Sequence, residues 1–281
     1  MTKVNDFWVV KHTFAVLGIA DEVGAPLFSG ALAFNAMFAI LPGLMLLSGL
    51  LGFVIADEAT REQLLADLIE KIPPLEKVFE NSLAGVVQER GSLTIIGFFG
   101  LLWGASNFYN AIDDVMRRMF TGSKPRDIVE KRLRGVLTVV ILMLLFAGTV
   151  LMSGTWTVIV ASVDGLLGAN LLLTIGGPVV FSLLCILSVW LTFRLVPTAP
   201  PTWHEARLPV VLTGTAIGLL TSLFSVLAPL LVSGLAAFGV LASVFGAFVW
   251  LNLSFQLLLW GAAWTRFRRD RYRLSTLTVD N

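Results

Sequence analysis

The stretch LFSGALAFNAMFAILPGLMLLSGLLGFVIA, residues 27–56, decides the fold. It contains no Asp, Glu, Lys or Arg. Wound as a helix at about 1.5 Å per residue, it outreaches the roughly 30 Å hydrocarbon core of a bilayer. The apolar run is continuous rather than alternating, so it does not read as a barrel strand. Five further stretches behave the same way: 92–112, 135–161, 171–193, 208–233 and 239–264. The expected class is all-α, a polytopic membrane protein with six transmembrane helices in a single membrane domain.

Composition agrees. Of 281 residues, 56% are hydrophobic and 14% charged, against about 25% charged in soluble domains. Mean hydropathy is +0.84, more apolar surface than a soluble fold of this size can bury. A lone Cys185 excludes an internal disulfide. Residues 1–26 carry Asp6, Asp21 and Glu22 and lack the apolar core of a signal peptide.

Charge between the spans sets the expected orientation. The side holding both termini collects 16 of the 20 Lys and Arg residues. Among them are Arg117, Arg118, Arg194, Arg207, Arg266, Arg268, Arg269, Arg271 and Arg273. Basic loops stay cytoplasmic, so both termini are expected inside. The basic segments 117–134 and 265–281 are expected to meet anionic lipid. Trp203, Trp260 and Trp264 fall near the same boundary, whereas Trp103, Trp156, Trp190 and Trp250 are expected to pack against neighbours.

Two segments outside the spans also have a pattern. In 57–91, Thr60 and Gln63 fit a capping box, and Pro73-Pro74 divides two amphipathic repeats. An external helical hairpin over 60–90, closed by Gly91, follows. Residues 5–18 suggest an interfacial helix, with Gly24 and Pro26 turning the chain into the membrane.

Chemistry-bearing groups are scarce. His12 and His204 stand on separate segments, and no metal-ligand spacing, phosphate loop or nucleophile–base pair occurs. No catalytic residue, metal or cofactor is expected. Asp113 and Asp114 each precede an arginine by four residues, Arg117 and Arg118, which reads as helical ion pairing. The RFRRDRYR run at 266–273 is explained by topology and lipid, and no nucleic-acid partner is expected.

Helix packing has clearer signals. Gly100-x-x-x-Gly104 and Gly214-x-x-x-Gly218 let helix backbones approach closely. Pro42 and Pro229 each remove a backbone hydrogen bond inside a span. The remaining polar side chains include Asn35, Asn107, Asn110, Asn252 and Gln256. Amides in hydrocarbon must find partners inside the bundle. They are expected either to bond between helices or to border a polar cavity between spans one, two and six.

Three stretches carry a resemblance: ALAFNAMFAILPGLMLLSGL, LLWGASNFYNAIDDVMRRMF and ASVFGAFVWLNLSFQLLLWGAAW. Their order and spacing resemble the YihY/BrkB family of bacterial inner-membrane proteins over about residues 5–270. Gly261-Ala262 is followed by Ala263 where the family often has Glu, Asn35 stands at a usual aromatic, and Arg117 at a position often Asn. The family has carried a ribonuclease BN label that these residues do not support. The resemblance implies movement of lipid or envelope components. The absence of charge within the spans argues against ion coupling. The expected function is transport or translocation of a lipid or small molecule, with membrane lipids as partners. A non-catalytic scaffold or regulator of envelope assembly is the alternative.

Overall fold

The computed structural model describes residues 2–54, 90–120, 169–234 and 240–277, together with Gly135, Leu137, Thr138 and Ile141. Among these residues the regular structure is entirely helical. Six helices are described with both ends: α1 (Thr2–Val23), α2 (Ala25–Val54), α3 (Arg90–Met119), α4 (Ala169–Leu195), α5 (Trp203–Gly234) and α6 (Val240–Leu277); residues 135, 137, 138 and 141 are helical as well. Five of the six helices cover stretches singled out by their lack of charge. The stretch at 135–161, apart from four residues, and the hairpin expected at 60–89 lie outside the described residues. Within the described set, Trp203–Phe224 and Val244–Tyr272 are each long and apolar enough to cross a bilayer. The pair Val10–Val23 and Ala25–Ile40, bent by 60°, makes a third if it is one broken span.

The bend has a local cause. Gly24 takes φ +78°, a left-handed conformation that side chains disfavour. Its amide bonds the Asp21 carbonyl at 2.9 Å, closing α1, while its own carbonyl accepts from Leu27 and Phe28 to open α2. The turn therefore falls where Gly24 and Pro26 place it, although α1 extends beyond 5–18 at both ends.

Three other boundaries differ from expectation. α3 begins at Arg90, so Gly91 opens that helix rather than closing a preceding one. In a first turn its amide needs no intrahelical partner. α5 begins at Trp203 instead of 208, because the Thr202 amide donates to Glu205 Oε2 at 2.8 Å, half of a capping box. α6 continues past Trp264 to Leu277, so most of the basic tail is helix. Arg266 and Asp270 are paired one turn apart there, at 3.9 Å.

Two glycine seams hold helix pairs together. In α2–α3, a Cβ built on Gly104 would lie 2.9 Å from both the Ala39 Cα and the Phe38 carbonyl oxygen. That carbonyl is the one Pro42, four residues on, cannot bond. Gly100 faces Pro42 itself, with an added Cβ 2.9 Å from its ring carbons. α2 thus runs unbroken through Pro42, with α3 packed over the gap. In α4–α5, Gly214 lies against the Ile186 backbone and Gly218 against Ser182. Both pairs also contact α6.

The core gathers toward the end of the bundle that carries the arginines. Tyr109, Met116, Phe120, Phe193, Val210 and Leu259 are buried there in one cluster. Phe120 meets Phe193 edge-on at 6.4 Å. Away from that end many large apolar residues face outward: Leu219 is 65% exposed and Phe245 68%. Such a surface suits lipid and would aggregate in water. Trp103, expected to be packed, is 61% exposed and touches only the edge of this pattern, 6.3 Å from the Phe38 ring. It sits on the outward face of α3.

Candidate functional site

Among the described residues no hydrogen bond joins two of the intramembrane amides. Asn252 of α6 meets Ser29 of α2, with 2.8 Å between Ser29 Oγ and Asn252 Oδ1. Ser29 Oγ also lies 2.8 Å from the Pro26 carbonyl. A hydroxyl has a single proton, so it cannot donate to both. Both contacts are satisfied when the Asn252 side chain is turned to donate its NH2 to Ser29, which then donates to Pro26. Ser29 is fully buried. Asn35 instead donates to the Ala31 carbonyl of its own helix at 2.9 Å. Asn107 and Gln256 are half-buried and Asn110 is exposed. A second interhelical bond runs from Trp250 Nε1 to Thr221 Oγ1 at 3.2 Å, joining α6 to α5. The partners Ser29 and Thr221 carried no distinguishing signal in the sequence. Pro229 falls inside α5, but its side chain is outside the described set.

At the basic end most arginines bind the protein itself. Arg117 takes both acidic neighbours, reaching Asp113 at 3.1 Å and Asp114 at still closer range. The expected pairing of Arg118 with Asp114 gives way to a cation–π contact, with its guanidinium 5.2 Å from the Phe28 ring of α2. Arg266 pairs with Glu22 of α1 at 3.7 Å. Arg268 donates to the His204 carbonyl at 3.1 Å and Arg269 to the Ala199 carbonyl at 3.3 Å. Arg271 Nη1 lies 2.6 Å from His12 Nε2. Since a guanidinium only donates, His12 accepts through Nε2 and carries its proton on Nδ1. The helical continuation of α6 therefore clamps α1 and the 196–202 connection. These four arginines spend donors on the protein rather than serving lipid alone. Arg273 lies in the same helix, with its side chain outside the described set. Among the described residues no group of three or more His, Cys, Asp or Glu is placed to hold a metal.

Beside this clamp lies a groove of about 620 Å³, partly open to the surroundings. Val16 and Leu17 of α1, Leu212 and Ala216 of α5, and Leu257 and Trp260 of α6 line it. His12 and Trp264 are at its border, and His12 stacks edge-on to Phe267 at 5.3 Å. The lining is almost wholly hydrocarbon. Its floor is the contact between α5 and α6, where Gly261 has no room for a side chain beside Thr213. Hydropathy alone could not reveal this feature, because it needs α1 packed along α6, with α5 forming the opposite wall.

No curated protein and no solved structure matches the chain. A family model described as virulence factor BrkB matches residues 17–278, nearly the whole length and including α2 to α6. With its outward-facing apolar helices, the chain is a membrane protein that belongs to the BrkB family.

Proposed function

We propose that this protein crosses the bacterial inner membrane six times, with both termini in the cytoplasm, and moves a lipid or lipid-linked envelope component between leaflets. The groove between α1, α5 and α6 carries this reading. It is apolar, partly open to the surroundings, and lies beside the arginine clamp where headgroups would be. The 16-to-4 division of basic residues supports the orientation. The contact between Arg271 and His12 supports termini on one side. With no Asp, Glu, Lys or Arg in any expected span, passage is facilitated rather than ion-coupled. No cofactor takes part.

The test is reconstitution with a fluorescent phospholipid and a membrane-impermeant quencher. Transfer between leaflets makes the inner-leaflet label accessible. Quenching no greater than in protein-free vesicles refutes translocation. Reporter fusions after Gly91, Arg134, Gly168 and Asn281 should read outside, inside, outside, inside.

One observation favours the scaffold reading instead: Asn252 is spent on a helix–helix bond with Ser29. The readings separate in a Cys185→Ser background carrying Asn252→Cys or Gln256→Cys. Labelling by a water-soluble thiol reagent from either side supports a wet pathway. Protection of both positions from both sides supports the scaffold.

A further inference from the structure

We propose that the groove between α1, α5 and α6 binds one acyl chain of an anionic phospholipid, whose phosphate is held by Arg268 and Arg271. This deepens the lipid-handling reading and rests on it for the presence of a bilayer around α5 and α6.

The groove and the arginines belong to one surface. Leu257, Trp260, Trp264, Arg268 and Arg271 follow one another on α6 at spacings of three and four, so they form a single stripe along that helix. The first three line the groove. The two arginines continue it by one and two turns. Trp260 is 37% exposed, and Trp264, one turn on, sits where the stripe changes from apolar to charged. Indoles settle at the level of lipid headgroups, and guanidiniums one turn beyond an indole are at phosphate depth.

The groove's walls explain a chain, and the arginines explain a phosphate. Lipid tails are as apolar as leucine, so filling the groove from the bilayer gains little from hydrophobicity itself. Selectivity then rests with the headgroup. A guanidinium offers five N–H donors in a planar fork that suits phosphate oxygens. Arg268 spends one nitrogen on the His204 carbonyl and Arg271 one on His12. These bonds fix the two groups in place while leaving other donors to face a ligand. Lys11, exposed beside His12, adds positive charge at the same end. Three nearby acids are already engaged: Asp270 and Glu22 pair with Arg266, and Glu205 accepts from the Thr202 amide. A zwitterionic lipid would fill the groove equally well but bring no net charge to this end. A volume of about 620 Å³ is in the range of small-ligand sites.

The experiment is retention of lipid by the purified full-length protein in detergent, read by native mass spectrometry. Phosphatidylglycerol and phosphatidylcholine with the same chains are offered in competition, and inorganic phosphate separately. Phosphatidylglycerol should be preferred by about tenfold or more, as expected for charge-assisted hydrogen bonds. The preference should shrink as salt rises. Arg268→Gln with Arg271→Gln should abolish the preference but leave chain retention. Ala216→Trp fills the groove and should abolish retention of both lipids. Leu212→Trp, at the opening, serves if the first variant misfolds. Equal retention of the two lipids by the wild type overturns the proposal. So does retention unaffected by both Trp variants, and so does binding of inorganic phosphate with no lipid preference. A change of oligomeric mass in Ala216→Trp without loss of lipid overturns it in favour of an interface between copies. Specific retention without leaflet transfer leaves this site standing and refutes translocation. Transfer without specific retention does the reverse.

Discussion

Gly214→Ala tests the packing on which the bundle depends. A methyl at this position would lie 2.5 Å from the Ile186 Cα, 2.6 Å from its Cγ1 and 2.7 Å from its backbone nitrogen. Carbon atoms rest about 3.5–4.0 Å apart. α5 must therefore back away from α4 by about 1 Å, because two of the three obstacles are main-chain atoms that cannot rotate aside. Overpacking of this kind costs about 1–3 kcal/mol. Alanine returns up to about 1 kcal/mol through helix propensity. Contacts this short put Gly214 in the upper half of the overpacking range, about 2–3 kcal/mol, so the net loss is about 1–2 kcal/mol, or about 2–8 °C in Tm for a chain of this size. The assay is thermal unfolding in detergent and in lipid. Two further glycines calibrate it. Gly218 faces the Ser182 hydroxyl at 3.0 Å, which can turn away, so Gly218→Ala should cost less. Gly18 has nothing within 4 Å, so Gly18→Ala should leave Tm unchanged or raise it. Gly214→Ala melting at or above the wild type, or losing no more than Gly18→Ala, would refute the reasoning.

Gly24→Ala forces a side chain into φ +78° at about 1–2 kcal/mol. It should lower Tm and open the 60° bend, measured as a longer distance between spin labels on α1 and α2. Asp113→Ala removes a buried carboxylate and leaves Arg117 with Asp114, at a cost of about 1–3 kcal/mol in the same melt. The purified protein should leave RNA intact in Mg²⁺, Mn²⁺ or Zn²⁺. Cleavage that follows the protein through successive purification steps would contradict that expectation.

The positions of the helices were legible because charge is absent from them. Residues 27–54, 92–112 and 171–193 are helical for the same reason that they stand out in the sequence. Helix ends were less legible where tertiary contacts decide them. Hydropathy falls at Trp264, yet α6 continues because Arg266 pairs with Asp270 and because its arginines dock on α1 and the 196–202 connection. The start of α5 was readable from Thr202-x-x-Glu205 but lay outside the apolar run. Both glycine pairs identified surfaces of close approach without naming the facing helix. Asn252 was conspicuous as a buried amide, but Ser29, 223 residues away, was not. The groove escaped the sequence altogether. Its walls come from three helices, and each contributes residues that look like ordinary lipid-facing hydrocarbon.

The most direct test is a high-resolution structure of the protein in nanodiscs containing phosphatidylglycerol. Elongated density should occupy the groove between Val16, Ala216 and Leu257, with a headgroup against Arg268 and Arg271. The same groove collapsed, or filled by another segment of protein, with no ordered lipid at the two arginines, would contradict the lipid-handling account.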